Sequence, residues 1–110
     1  MGRHLLIVYT NPVEGEEDEY NKWYDETHVP DLVAIPGVVS AKRLQLTPIP
    51  GAGDGAGHKY LALYEIDGDP AAVMTELGQR VGSGEISMSS ALDTSKMSLS
   101  IYSYRDPDSA

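Results

Sequence analysis

The chain has 110 residues, with 17 acidic against 8 basic side chains, a formal net charge of −9 at pH 7 and no cysteine. That length predicts one domain over 1–110 with a core that needs no staples. The missing thiols exclude disulfides, cysteine zinc sites, iron–sulfur clusters and thiol nucleophiles.

The acidic surface repels phosphate backbones and anionic lipids, so no nucleic-acid partner is expected. No apolar run approaches the roughly 20 residues that span a bilayer, so no membrane partner is expected either. A reduced cytoplasm is the default compartment. Gly2 fits no myristoylation motif because position 6 is Leu. The aromatic set is lopsided, with seven Tyr, one Trp and no Phe. Tyrosines in space-filling positions point to a polar or wet lining, because a buried hydroxyl wants a partner.

His4–Tyr9 (HLLIVY) is apolar and β-branched and predicts a strand ended by Asn11-Pro12. Glu14–Asp25 predicts an amphipathic helix with an acidic start that suits the positive end of the helix dipole. Tyr20, Trp23 and Tyr24 share one face of it, and Thr27 and His28 continue the stripe. Pro30 is expected to halt or bend this helix near His28, because the residue before proline avoids helical angles. Asp31–Ile35 predicts a short apolar turn or helix, and Pro36-Gly37 a break.

Val38–Leu46 predicts a second strand. The Pro/Gly-rich loop 47–57 reads as a mobile hairpin connection or a lid over a pocket. Tyr60–Ile66 predicts a third strand, with Tyr60, Ala62 and Tyr64 on one face that alternation alone does not identify. Asp69-Pro70 opens a second helix through Val73, Met74, Leu77 and Val81, ended by Gly82-Ser83-Gly84. Glu85–Met97 gives no clear pattern beyond one helical turn at Ser89–Leu92. Leu99–Tyr104 predicts a fourth strand, and 105–110 a polar tail.

This order, β-α-β then β-α-β, predicts a ferredoxin-like α+β fold: a four-stranded antiparallel sheet with both helices on one face. Leu5, Ile7 and Tyr9 then lie on one side of the first strand, and Leu6 and Val8 on the other. A sheet apolar on both faces should not leave one in water. Pairing two bare faces predicts a self-complementary homodimer.

The block Tyr20–Arg43 (YNKWYDETHVPDLVAIPGVVSAKR) resembles the EthD-like family of the dimeric α+β barrels. It shows an aromatic-rich helix with Trp23-Tyr24, then His28-Val29-Pro30, an apolar turn, and Pro36-Gly37 before a strand. The resemblance implies a dimeric barrel with a pocket between sheet and helices. The superfamily holds isomerases, monooxygenases, heme-degrading enzymes and a polyketide cyclase, olivetolic acid cyclase. The His4-Leu5-Leu6 start is similar to that cyclase, which implies a role for His4. Tyr60 stands where the cyclase has a histidine, and its second-half histidine has no counterpart.

These readings make His28, Tyr24 and His4 the candidate catalytic residues, with His28 as acid or base near neutral pH. The negative end of a helix at His28 would favour its charged form. Tyr20, Trp23 and Tyr60 are candidates for holding a small aromatic or polyketide-like ligand. His58 is expected to be exposed. Asp25 stands at i, i+3 to His28, as a solvated residue or a partner orienting the imidazole, and no metal site is expected. No phosphate loop, flavin or nicotinamide fingerprint or serine elbow occurs. The expected function is a cofactor-independent lyase, cyclase or isomerase. A non-catalytic binding or accessory protein is the alternative, and a cofactor-free or heme-linked monooxygenase ranks lower.

Overall fold

Alternation along the strands decides which side chains the helices cover. In the structure, a computed structural model that describes residues 3–105, strands β1 (Arg3–Thr10), β2 (Val38–Gln45), β3 (Tyr60–Asp67) and β4 (Ser98–Ser103) form one antiparallel sheet. Their spatial order is β2-β3-β1-β4. This is the α+β, ferredoxin-like arrangement the sequence predicts. Gly2 and 106–110, most of the polar tail, lie outside the described residues.

The β1–β3 register sets Leu6 opposite Tyr64, Val8 opposite Ala62 and Thr10 opposite Tyr60. All six are buried under the helices. The tyrosine face of β3 is therefore the helix side. On the other face Leu5, Ile7 and Tyr9 meet Glu65, Leu63 and Leu61, with Leu44 of β2 opposite Leu61.

Helix α1 (Glu17–Trp23) starts later than its acidic run, and Glu17, Asp18 and Glu19 occupy its first turn. Pro30 does not halt it. The chain passes through a π-helical turn, Tyr24–His28, directly into α2 (Val29–Val33). The amide of Val29 bonds five residues back to the carbonyl of Tyr24, and Val29 keeps helical angles although proline follows. The wider turn absorbs the donor that Pro30 lacks. It has a second consequence. A regular helix carries residue 28 roughly 80° round from residue 20, and one wider turn takes back part of that drift, returning His28 to the sheet side. Such turns recur at functional sites.

Tyr20 and Thr10 share a short hydrogen bond between buried hydroxyls. Tyr20→Phe leaves the Thr10 hydroxyl without its partner and is expected to lower unfolding stability by about 1–2 kcal/mol, read by urea titration. An unchanged midpoint would mean that the hydroxyl finds another partner.

Helix α3 (Pro70–Ser83) opens on the predicted cap, with an Asp69 carboxylate oxygen accepting from the Ala71 amide at 2.9 Å. It closes on Gly84 in the left-handed region. It packs close to the start of β2 because Gly37, at φ +101°, has no side chain; a Cβ there would stand 2.9 Å from the Val73 methyl. The unpatterned segment after α3 is anchored. Ile86, Ala91 and Leu92 are buried, and the Val13 amide bonds the Ala91 carbonyl at 2.7 Å. The expected turn closes from Leu92 N–H to the Ser89 carbonyl, and a 3-10 turn follows at Thr94–Lys96.

Candidate active site

Between the helices and the β1–β4 side of the sheet lies a cavity of about 160 Å³. Leu6, Val8 and Tyr64 contribute from the sheet, His28 and Leu32 from the first helical unit, and Leu77 from α3. Val81, Met88, Met97 and Leu99 also line it and are themselves exposed, so they form its mouth. A dry cavity of about 150 Å³ accommodates a benzene-sized ring.

The lining is apolar but for two groups. His28 Nδ1 is buried and has no hydrogen-bond partner, and the buried Tyr64 hydroxyl has only the Tyr24 phenol oxygen to turn to, without good hydrogen-bond geometry. Buried polar atoms are nearly always paired, so an unpaired imidazole nitrogen beside an apolar cavity needs a reason. The Trp23 indole N–H, close by, is also buried and unpaired.

The imidazole of His28 is held on two sides. The Trp23 indole stacks on it at 4.6 Å and 27°, and Tyr24 meets it edge-on at 5.1 Å. His28 is only 8% exposed, and burial lowers its pKa to about 4. The resting imidazole is thus neutral at pH 7. This corrects the expectation of a charged form: the helix continues to Val33, so no helix end faces His28, and desolvation is the cause that acts. Burial likewise raises the pKa of Tyr64 and Tyr24 and keeps both phenols protonated.

Asp25 does not orient His28. It pairs with Arg43 Nη1 at 2.9 Å, and its side chain is 63% exposed. The Arg43 side chain is only 14% exposed. Its guanidinium lies 4.3 Å from the Tyr24 ring centroid, 5.3 Å from Tyr20 and 5.2 Å from Tyr60. Three of the tyrosines therefore surround a cation, and Tyr64 lines the cavity.

The other candidates stand outside the cavity lining. His4 Nδ1 bonds the Ser103 hydroxyl at 2.7 Å. The Tyr60 hydroxyl bonds Glu17, and Asn21 Nδ2 donates to it at 3.2 Å. Tyr20 is engaged by Thr10. His58 is half-buried, not exposed: its Nε2 bonds the Lys96 carbonyl at 2.6 Å and its ring packs against Tyr9. It borders a larger hollow of about 470 Å³ on the opposite sheet face, beside Leu44, Leu61 and loop residues Gly55 and Ala56. The loop expected as a lid lies there, away from His28. No cluster of three or more metal-ligating side chains occurs among the described residues.

Sequence reasoning missed Tyr64 as a site residue, Arg43 altogether, and the mouth residues Met88, Met97 and Leu99. Tyr64 shares its face with Tyr60, and Arg43 follows Ala41 at strand spacing. Those parities are the signals that could have found them.

A four-stranded antiparallel sheet of this order with helices on one face is the architecture of the ferredoxin-like α+β proteins. Neither a protein-family model nor a curated protein matches the sequence. Solved structures do match. An EthD family protein from Bacillus halodurans superposes with a TM-score of 0.62 at 20% identity, over 93% of this chain and 97% of that one. A dimeric ferredoxin-like protein of unknown function from Thermobifida fusca gives 0.56 at 11% identity, over 94% and 92%. A DABB family protein with a ferredoxin-like fold from Mesorhizobium loti gives 0.51 at 15%, over 93% and 96%. At such identities the likeness establishes the fold, and it agrees with the EthD-like resemblance read from residues 20–43.

Proposed function

We propose that the protein is a cofactor-independent enzyme of the lyase, cyclase or isomerase type, with His28 as general base toward an aromatic or polyketide-like small molecule. The observation that carries this reading is a buried, neutral His28, its Nδ1 unpartnered, lining one apolar cavity together with Tyr64. A carbonyl compound in the cavity would bring a C–H to the imidazole and an oxygen to the Tyr64 hydroxyl. The neutral imidazole accepts a proton from the carbon next to the carbonyl. The C–H electron pair passes to the carbonyl oxygen, and Tyr64 donates a hydrogen bond to the enolate.

The imidazolium so formed lies against the Trp23 face, where a cation is favoured, and beside the new anion. Where a C=C adjoins the deprotonated carbon, the dienolate takes the proton back at its γ-carbon and the double bond moves into conjugation with the carbonyl, which is isomerisation. Alternatively the enolate attacks a second carbonyl of the same molecule, closing a ring, and His28 returns the proton to the resulting alkoxide. Tyr24 fixes the imidazole edge-on throughout.

The test is a thermal-shift screen of phenolic, polyketide-like and lactone compounds on wild type and His28→Gln, with conversion of each hit followed by mass spectrometry. A compound bound by both and converted only by wild type supports the enzyme. Binding by both without conversion by either would favour a carrier instead.

The same reading includes a homodimer. Leu5, Ile7, Leu61 and Leu63 form an apolar centre on the sheet face that no helix covers, and the Thermobifida fusca protein of this fold is a dimeric one. Leu63→Asp places a charge at that centre and is expected to convert a dimer to a monomer in analytical ultracentrifugation. A variant that sediments as wild type would exclude this face as the interface.

A further inference from the structure

Resting on the proposed cavity chemistry, we infer that Arg43 is a positioning residue for charge: a fixed cation behind the tyrosines that stabilises negative charge formed in the cavity. Arg43 and Tyr64 occupy the helix face of neighbouring strands, with Arg43 opposite Ala62 and Ala41 opposite Tyr64. They are thus diagonal neighbours, a relation that spans about 7–8 Å between backbones. The Tyr24 ring bridges the two regions, 4.3 Å from the guanidinium on one side and 5.1 Å from His28 on the other.

The guanidinium is locked in place. Three rings surround it, Asp25 accepts from Nη1, the Tyr20 hydroxyl lies within its reach, and Nε and Nη2 are buried. The rings keep water from the guanidinium, so within the protein its field is opposed chiefly by the Asp25 carboxylate. Its field lowers the cost of ionising Tyr24 and Tyr64 against the burial that raises it. The same field favours an enolate or phenolate bound to Tyr64. Burying a guanidinium is costly, and packing alone gives no reason for a cation over an apolar side chain here.

The titratable groups around Arg43 are Asp25, Tyr20 and Tyr24 from the first helical unit and Tyr60 from β3, with Glu17 and Lys59 beyond Tyr60. The cavity lining itself adds only His28 and Tyr64.

The probe is 4-nitrophenol, a single ring whose absorbance reports its ionisation when bound. Wild type and Arg43→Lys, which keeps the charge, are expected to ionise it at a lower pH than Arg43→Met. The difference should be roughly one pH unit, the order expected for a unit charge about 10 Å away at an effective dielectric near 20. Asp25→Asn, at an exposed position that tolerates change, removes the counter-charge and should move the midpoint the opposite way from Arg43→Met. It also serves as the informative variant if Arg43→Met fails to fold. Equal midpoints in wild type, Arg43→Met and Asp25→Asn would overturn the inference while leaving the cavity intact. A wild type that does not bind the probe would overturn both, and binding that survives only in Arg43→Met would overturn the sign assigned to the charge.

Discussion

His28→Gln is expected to lower kcat/KM by about 10²–10⁴-fold, the usual contribution of a positioned general base. Glutamine nearly fills the imidazole volume and can hydrogen-bond, but it cannot carry the proton. KM should change little, because cavity shape and the Tyr64 hydroxyl remain. The pH profile separates this role from a structural one. With the free imidazole at a pKa of about 4, kcat/KM should be flat through neutrality and fall tenfold per unit below about pH 4. A base of that pKa is weak in isolation. It is strengthened in the reaction, because the enolate formed beside it in a low-dielectric cavity favours the imidazolium. A profile that bends near pH 6.5 would mean that His28 is solvated in the working enzyme. Full activity in His28→Gln would remove it from the chemistry.

The second large effect is on stability in acid, and it does not require a substrate. An unfolded histidine protonates near pH 6.5, whereas folded His28 resists protonation until about pH 4. Between these values the unfolded chain binds a proton that the folded one does not. Stability contributed by neutral His28 is therefore full above pH 6.5 and is lost as pH falls toward 4. The whole loss is about 3 kcal/mol, most of it present by pH 4.5. Urea unfolding of wild type and His28→Gln at pH 7.5 and 4.5 should show wild type losing more by about that amount. Exposed carboxylates such as Glu17 and Glu65, held low by Lys59 and Arg3, also lose stability in acid. They do so equally in both proteins and cancel in the difference. Parallel losses in the two proteins would show that His28 is not desolvated in solution.

The two measurements are linked. The burial that makes acid expensive for the fold is the same burial that leaves a neutral base in the cavity at pH 7. A protein showing the acid effect without turnover would be the carrier reading of the same cavity.

What the sequence determined by itself was local. Strand alternation in Leu5–Tyr9 and Tyr60–Ile66, the Asp69-Pro70 start and the Gly84 stop are properties of a few adjacent residues, and they suffice for the element order and the ferredoxin-like fold. The stripe Tyr20–Tyr24–His28 was also visible, because helical spacing puts those positions together before anything packs on them. Three things were decided only in the tertiary structure. Pro30 predicted a stop or a bend near His28; the helix is not stopped, and the irregularity takes the form of a π turn at Tyr24–His28. Nothing local marked Arg43; the β2–β3 register set it among tyrosines that lie 17 to 23 positions away in the chain. His28 was legible as a candidate, but its neutral state was not. Charge state follows from how much water the sheet, Trp23 and Tyr24 exclude, and desolvation is a property of the whole fold around an atom, which no run of neighbouring residues encodes.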